Sequence, residues 1–232
     1  MSRFRGVVDK KLLLDQKTDH SLFKKNNKNL KLKFDNKKIN ILVAAHCFSD
    51  AIHAFGDNLY TDFHDWLEFL GKVSEKRNYK MYIKIHPAQY DRNYKHFMNF
   101  MNKYKNFIVL PKNTTVTQML NKKFDYVLTV YGSVGHEYPL FDTPVINASV
   151  NGPHSAYSFN LSPKNKKSYE KKILNLKKNN FKISEFQKKQ IFEFYFMRYL
   201  SEYALLDKWD TAMTSLEDDY NSKKILEFYL KN

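Results

Sequence analysis

Hydrophobic positions along this chain alternate between two kinds of pattern. INILVAA (39–45) is a short continuous apolar run, as expected of a strand buried on both faces. Between Tyr60 and Lys76, Phe63, Trp66, Leu67, Leu70 and Val73 recur at three- and four-residue spacing, which predicts an amphipathic helix. KMYIKI (80–85) reads as a strand, and 90–104 sets Phe97, Phe100, Met101 and Tyr104 on one helical face. NFIVL (106–110) predicts another strand, and 114–121 a short helix capped by Asn113 or Thr114. DYVLTV (125–130) is the next strand, GSVGHEYPLF (132–141) a turn entering a short helix, and TPVINAS (143–149) the last strand. Strand and helix alternating five times with short connections predict an α/β, Rossmann-like parallel sheet with helices on both faces.

The flanks differ from this middle. Residues 1–38 are basic, Asn-rich and weakly patterned, and read as an arm or linker. The Rossmann-like domain is expected over 39–163, ending in a loop rich in turn formers, VNGPHSAYSFNLSP (150–163). Residues 164–232 predict C-terminal helices that pack on the sheet or close over its edge. Within them the aromatic stripe IFEFYFMRYL (191–200) is expected in a core or a subunit contact.

Composition narrows the function classes. The 232 residues suit one large domain or two small ones. No apolar run approaches the roughly 20 residues that span a bilayer, and MSRFRGVVDKKLLLDQ holds no secretory signal. The single cysteine, Cys47, excludes an intrachain disulfide and fits a cytoplasmic setting. A net charge of +15, from 39 Lys+Arg against 24 Asp+Glu, attracts anions: nucleic acid, anionic lipid or phosphorylated small molecules. Runs such as KKNNKN also reflect a general Lys/Asn bias, so charge alone does not choose a partner.

Ligands of parallel α/β sheets bind beyond the carboxyl ends of the strands. Four stretches lie there. In IKIHPAQY (83–90), Pro87 ends strand pairing and fixes His86 in an extended conformation over the crevice. From there His86 can bond a phosphate or protonate a leaving one, with Lys84 adding charge. In TVYGSVGHEYP (129–139), Gly132 and Gly135 flank Ser133. Such a turn at a helix start exposes N–H groups at 132–134, Val134 included, to an anion. Glu137, one turn on, can accept from ribose hydroxyls. The stretch is neither GxGxxG nor a P-loop. In AAHCFSDAIHAFGDN (44–58), His46 and His53 are expected at the rim, and Asp50 is a candidate acid/base by position. With no cysteine partners and no HExxH, no metal site is expected. His154 and Ser155 follow the last strand and are expected on the same rim.

Taken together, IKIHP (83–87) and VLTVYGSVGHEYPLFDTPVI (127–146) resemble the C-terminal, nucleotide-binding half of GT-B-type transferases of bacterial surface carbohydrates. The resemblance is to capsule polysaccharide biosynthesis proteins of the Kdo-transferase kind. CDP-glycerol glycerophosphotransferases and sialyltransferases with an HP motif are more distantly similar. AAHCFSDAIHAFGD resembles the strand and loop that open that half, so the likeness covers about 39–150. It implies a nucleotide-activated sugar donor, CMP-linked for preference, and no prosthetic group. By that likeness His86 contacts the donor phosphate, Pro87 supports base or ribose, Ser133 binds phosphate and Glu137 binds ribose. It further implies a glycan or glycolipid acceptor, and the basic charge suits an enzyme working at the anionic inner membrane surface. Two departures stand out. Val134 occupies the place of a second hydroxyl, and no acidic pair followed by glycine supplies a base. The chain has room for one of the two GT-B domains, so it is expected to be a fragment, a short relative whose acceptor site and base come from a partner domain or subunit, or a protein that has lost transfer activity. The alternative from charge is a non-enzymatic basic module for nucleic acid or anionic membrane, with lysine clusters at 24–38 and 164–178.

Overall fold

A computed structural model describes residues 32, 34–51, 54–56, 58–90, 93–112, 114–120 and 122–195. Residues 1–31 and 33 of the arm expected over 1–38, the part of the expected C-terminal helices beyond residue 195, and His53 lie outside the described residues. The chain divides into two compact units, Met1–Ile191 and Phe192–Asn232.

Five strands form one parallel sheet: β1 (Ile39–Ala44), β2 (Tyr79–Lys84), β3 (Phe107–Val109), β4 (Tyr126–Thr129) and β5 (Val145–Asn147). Their order across the sheet is β3-β2-β1-β4-β5, every neighbouring pair parallel. The chain winds outward from β1 through β2 to β3, then returns to the other side of β1 for β4 and β5. The sheet therefore has a topological switch point between β1 and β4.

Alternation along the strands divides the core in two. Ile41, Val43, Met81, Ile83, Leu128 and Ile146 face one layer of helices. These are α1 (Phe63–Lys76), α2 (Tyr94–Lys103) and α5 (Lys166–Leu174). Each helix contributes its apolar stripe: Trp66, Leu67 and Leu70 from α1, Phe97 and Phe100 from α2, Tyr169 and Ile173 from α5. The indole of Trp66 donates to Tyr169 Oη at 2.9 Å, so its polar atom is satisfied inside the core. Leu42, Tyr82, Val127 and Val145 face the other layer. That layer includes α3 (Val116–Leu120), α4 (Val134–Glu137) and the 3-10 turn Tyr138–Phe141. A last helix, α6, covers Glu185–Tyr195. Residues packed on both faces of the sheet explain why β1 and β4 read as unbroken apolar runs.

Local signals set the element ends. Asp62 caps α1, accepting from Asp65 N–H at 2.6 Å. Asn165 and Ser168 form a reciprocal capping box at the start of α5. α3 is capped one residue later than its pattern suggests. Thr115 Oγ1 accepts from Gln118 N–H at 3.1 Å while the Gln118 side chain accepts from Thr115 N–H at 2.9 Å.

Candidate functional site

The carboxyl ends of β1, β2 and β4 lie side by side, because parallel strands in this order present their ends to one edge. β2 and β4 flank β1, two interstrand spacings apart, about 9.6 Å. Three loops rise there: 45–51 after β1, 85–90 after β2 and 130–134 after β4.

His46 holds the middle. Its ring stacks on Phe63, with centroids 4.5 Å apart, and meets Tyr131 edge-on at 4.8 Å. Nε2 lies 3.1 Å from Thr129 Oγ1 and accepts from Tyr131 N–H at 3.4 Å, which leaves the ring proton on Nδ1. Gly132 N–H donates to the same threonine hydroxyl at 3.1 Å. Burial, and then the neighbouring His86, push the His46 pKa down to about 3. His46 is thus a neutral strut between β1 and the turn after β4. The sequence places it on the rim; the structure buries it in the back wall.

His86 stands two residues beyond β2, half-buried, where Pro87 opens a 3-10 turn. Ala88 N–H points at His86 Nδ1 at 3.3 Å, so the neutral ring carries its proton on Nε2. Burial lowers the His86 pKa, and the carboxylate of Asp50 opposes that shift. Asp50 is also felt at Tyr131, whose pKa is pushed up to about 12 by burial first and Asp50 second. One exposed carboxylate from the β1 loop therefore sits near both the β2 and the β4 loops. Tyr131 Oη donates to Ala51 O at 2.6 Å, which ties the β4 loop to the Asp50 loop.

The turn after β4 holds its donors unequally. Gly132 N–H is spent on Thr129. Gly135 N–H donates to Gly132 O at 2.9 Å, and His136 N–H to Ser133 O at 3.1 Å. Among the described residues, the N–H groups of Ser133 and Val134 and the Ser133 hydroxyl have no protein acceptor. The two glycines are explained by close approach. A Cβ on Gly132 would lie 2.8 Å from Thr129 Oγ1, and one on Gly135 would lie 2.6 Å from the His154 ring.

The other sequence candidates are placed as follows. Lys84 is 9% exposed, and its ammonium donates to the carbonyls of Lys112 at 2.7 Å and Pro111 at 3.4 Å, beyond β3. Glu137 is 1% exposed, on the inner side of α4 next to Tyr138, whose ionisation it opposes. His154 is buried, and its Nε2 lies 2.9 Å from His136 Nδ1. Ser155 is exposed on its loop. Among the described residues no cluster of ligating side chains could hold a metal ion. No described helix is long and apolar enough to cross a membrane.

Two further positions hold the loops together, and sequence spacing reaches neither. Gln89 is fully buried and clips the β1 loop to the β2 loop, accepting from Phe48 N–H at 2.8 Å and donating to Asn93 O at 2.8 Å. Thr129 joins His46 to the β4 turn. A hydroxyl at the last position of an otherwise apolar strand is the one hint the sequence offers for it.

Lys84 carries a testable cost. Burial lowers its pKa from 10.5 to about 8. Between these values the unfolded chain binds more protons than the folded one, so stability rises with pH through the window, and the penalty is complete below it. Because the amine is partly solvated and bonded to two carbonyls, the gain is about 2 kcal/mol, below the ceiling that the full shift sets. Urea unfolding between pH 8 and 10 should show this rise in the wild type, and Lys84→Met should flatten it. An unchanged slope in the variant would refute the assignment.

Neither a protein-family model nor a curated protein matches the chain. Among solved structures it is similar to the UDP-GlcNAc 2-epimerase of Methanocaldococcus jannaschii in complex with UDP-GlcNAc and UDP, at 15% identity and a TM-score of 0.45, over 68% of this chain and 46% of that one. It is similar to KpsC, the beta Kdo 2,4 transferase of Thermosulfurimonas dismutans, at 16% identity and a TM-score of 0.42, over 68% and 47%. It is also similar to the wall teichoic acid polymerase TagF, at 17% identity and a TM-score of 0.39, over 81% and 46%. The chain spans less than half the length of each. What fold and edge together define is a Rossmann-like α/β domain with polar groups gathered at its switch point.

Proposed function

We propose that this edge binds the phosphate of a nucleotide-activated sugar, CMP-linked for preference, and that the domain is the donor-binding half of a glycosyltransferase of bacterial surface polysaccharide synthesis. What supports the reading is the gathering of donors at the switch point: His86 with its proton on Nε2 follows β2, the N–H groups of Ser133 and Val134 follow β4, and His46 bonded to Thr129 and Tyr131 follows β1 between them. A phosphate between them gains hydrogen bonds without protonating any group, which suits a leaving phosphate as the anomeric C–O bond breaks. Asp50 holds its charge near His86 and favours the imidazolium as negative charge develops on the departing oxygen. Lys84 and Pro87 support the β2 side, and Glu137 the inner wall of α4. The acceptor glycan or glycolipid and its base belong to a partner domain or subunit in this reading, with the anionic inner membrane surface nearby.

Calorimetry of the whole chain with CMP, CDP and UDP tests it. Binding is expected, and His86→Ala should weaken it by about 1–3 kcal/mol, the range for a charge-assisted hydrogen bond. Folded protein that takes up none of the three at millimolar concentration would overturn the reading.

A further inference from the structure

Helix α5 turns its sides to different surroundings. Tyr169 and Ile173 enter the core. Asn165, Ser168, Lys172 and Asn175 recur at three- and four-residue spacing along another side, with Lys171 beside them, and this side forms one wall of a cleft of about 900 Å³. The opposite wall is the segment 161–164. It runs beside β5, with Leu161 N–H donating to Val145 O at 2.9 Å and Asn147 N–H donating to Leu161 O at 3.0 Å. No residue of the β1, β2 or β4 loops lines this cleft.

Its charge is one-signed. Lys164, Lys171, Lys172 and Lys177 line it, and no carboxylate does. None of the four makes an ion pair among the described residues. Three lysines nearby do: Lys166 with Asp65 at 3.6 Å, Lys178 with Asp125 at 2.8 Å and Lys182 with Asp142 at 2.6 Å, whereas Lys167, outside the lining, does not. Carboxylates thus offset part of the surrounding charge but none of the four charges in the cleft. Like charges gathered in a concavity focus their field and repel one another until an anion enters.

We propose that this cleft binds a linear polyanion without bases, its phosphates or carboxylates repeating along the chain. Four point charges spread along a helix suit repeating anions, whereas one phosphate would be served by an arginine fork. The volume exceeds that of a single anion, and Asn165 Nδ2, Asn175 Oδ1 and the Ser162 hydroxyl remain for the polymer backbone, while Asn165 Oδ1 caps the helix and Asn175 Nδ2 donates to Lys171 O. Nucleic acid is disfavoured because the cleft lacks a stacking platform. Its one aromatic, Tyr126, is 9% exposed and donates its hydroxyl proton to Lys177 O at 2.9 Å. A bilayer surface is disfavoured because flat headgroups do not enter a concavity. The site is independent of the nucleotide reading.

Fluorescence titration of the full chain with inorganic polyphosphate and with oligogalacturonate tests it, alongside an oligothymidylate and vesicles of phosphatidylglycerol and phosphatidylcholine. Both polymers are expected to bind. Lys171→Gln with Lys172→Gln should weaken them about tenfold, as two exposed charge contacts would. Lys95→Gln with Lys105→Gln, an equal change in net charge at exposed positions outside the cleft, should leave affinity near wild type. Lys164→Gln with Lys177→Gln gives a second variant on the opposite wall and end, should the first fail to fold. Equal losses in cleft and control variants would reduce the effect to net charge and overturn the proposal. No polymer binding at low salt would also overturn it. So would binding of oligothymidylate or vesicles through the same lysines with affinity equal to the polymers.

Discussion

Acidification from pH 6.5 to 3 should remove on the order of 4 kcal/mol of folding stability through His46 alone, and His46→Gln should abolish that share of the loss. His46 is held neutral by burial, with a pKa of about 3 against an ordinary 6.5. The unfolded chain therefore binds a proton in this window that the folded chain refuses. The stability is complete above 6.5 and gone below 3. His86, shifted the same way by burial, adds to the slope. Asp142 and Glu68 add acid sensitivity as well, since lysine partners hold Asp142 low and hydrogen bonds from Lys103 and Tyr104 hold Glu68 low. The informative quantity is thus the difference between the two proteins. Glutamine keeps an amide near Thr129 but loses the stack on Phe63, so the variant should be less stable at neutral pH and flatter towards acid. Urea unfolding at several pH values reads both. Parallel curves would show that His46 is protonated in the folded state, and the neutral strut would then be wrong.

The same residue shows where sequence reading stops. The sheet was legible because INILVA and YVLT are buried on both faces and admit no polar alternation. The strand order was not, since nothing local says that β4 returns to the far side of β1. That return puts Thr129 beside His46, 83 residues away. A histidine after a strand looks like a rim residue until its neutral ring is seen stacked on Phe63. In the sequence, the glycines of the β4 turn suggest an opening for an anion. Their positions are equally demanded by Thr129 and His154 pressing against them. Gln89 bonds across 41 residues to Phe48, and no spacing rule reaches that far. The lysine run 164–178 was visible as charge. Its division into paired and unpaired members was hidden, because Asp65 and Asp125 come from distant parts of the sequence.

Two polar layers underlie the crevice, and they differ in how much change they tolerate. In the outer layer Asp50 is exposed and His86, Ser133 and Val134 are half-buried, and substitutions there should alter binding more than folding. The inner layer of His136, His154, Glu137 and Asn160 is buried. Imidazoles and an amide in such a place are stabilising only while their partners stay in register. This layer is the floor on which the β4 turn rests, and in the proposed reading it would hold that turn open towards a phosphate.

Gly135→Val should cost about 4 kcal/mol by breaking that floor. A Cβ at this position would lie 2.6 Å from two atoms of the His154 ring and 2.9 Å from Asn160 Nδ2. Overfilling a packed site costs about 1–3 kcal/mol, and alanine should already incur that. Valine adds two methyl groups, drives the ring aside and separates His154 from His136, now 2.9 Å apart. A buried nitrogen left without its partner costs a further 1–3 kcal/mol or so. The sum is a large fraction of the stability of an ordinary domain. Chemical denaturation of the alanine and valine variants measures both steps. The alanine variant also links floor to crevice, because Gly135 N–H closes the turn on Gly132 O and Ser133 and Val134 lie within it. Its nucleotide affinity should therefore fall although no contact with the ligand is lost. A valine variant within 1 kcal/mol of wild type would mean that His154 moves aside freely, and the buried pair would then not be what holds the β4 turn in place.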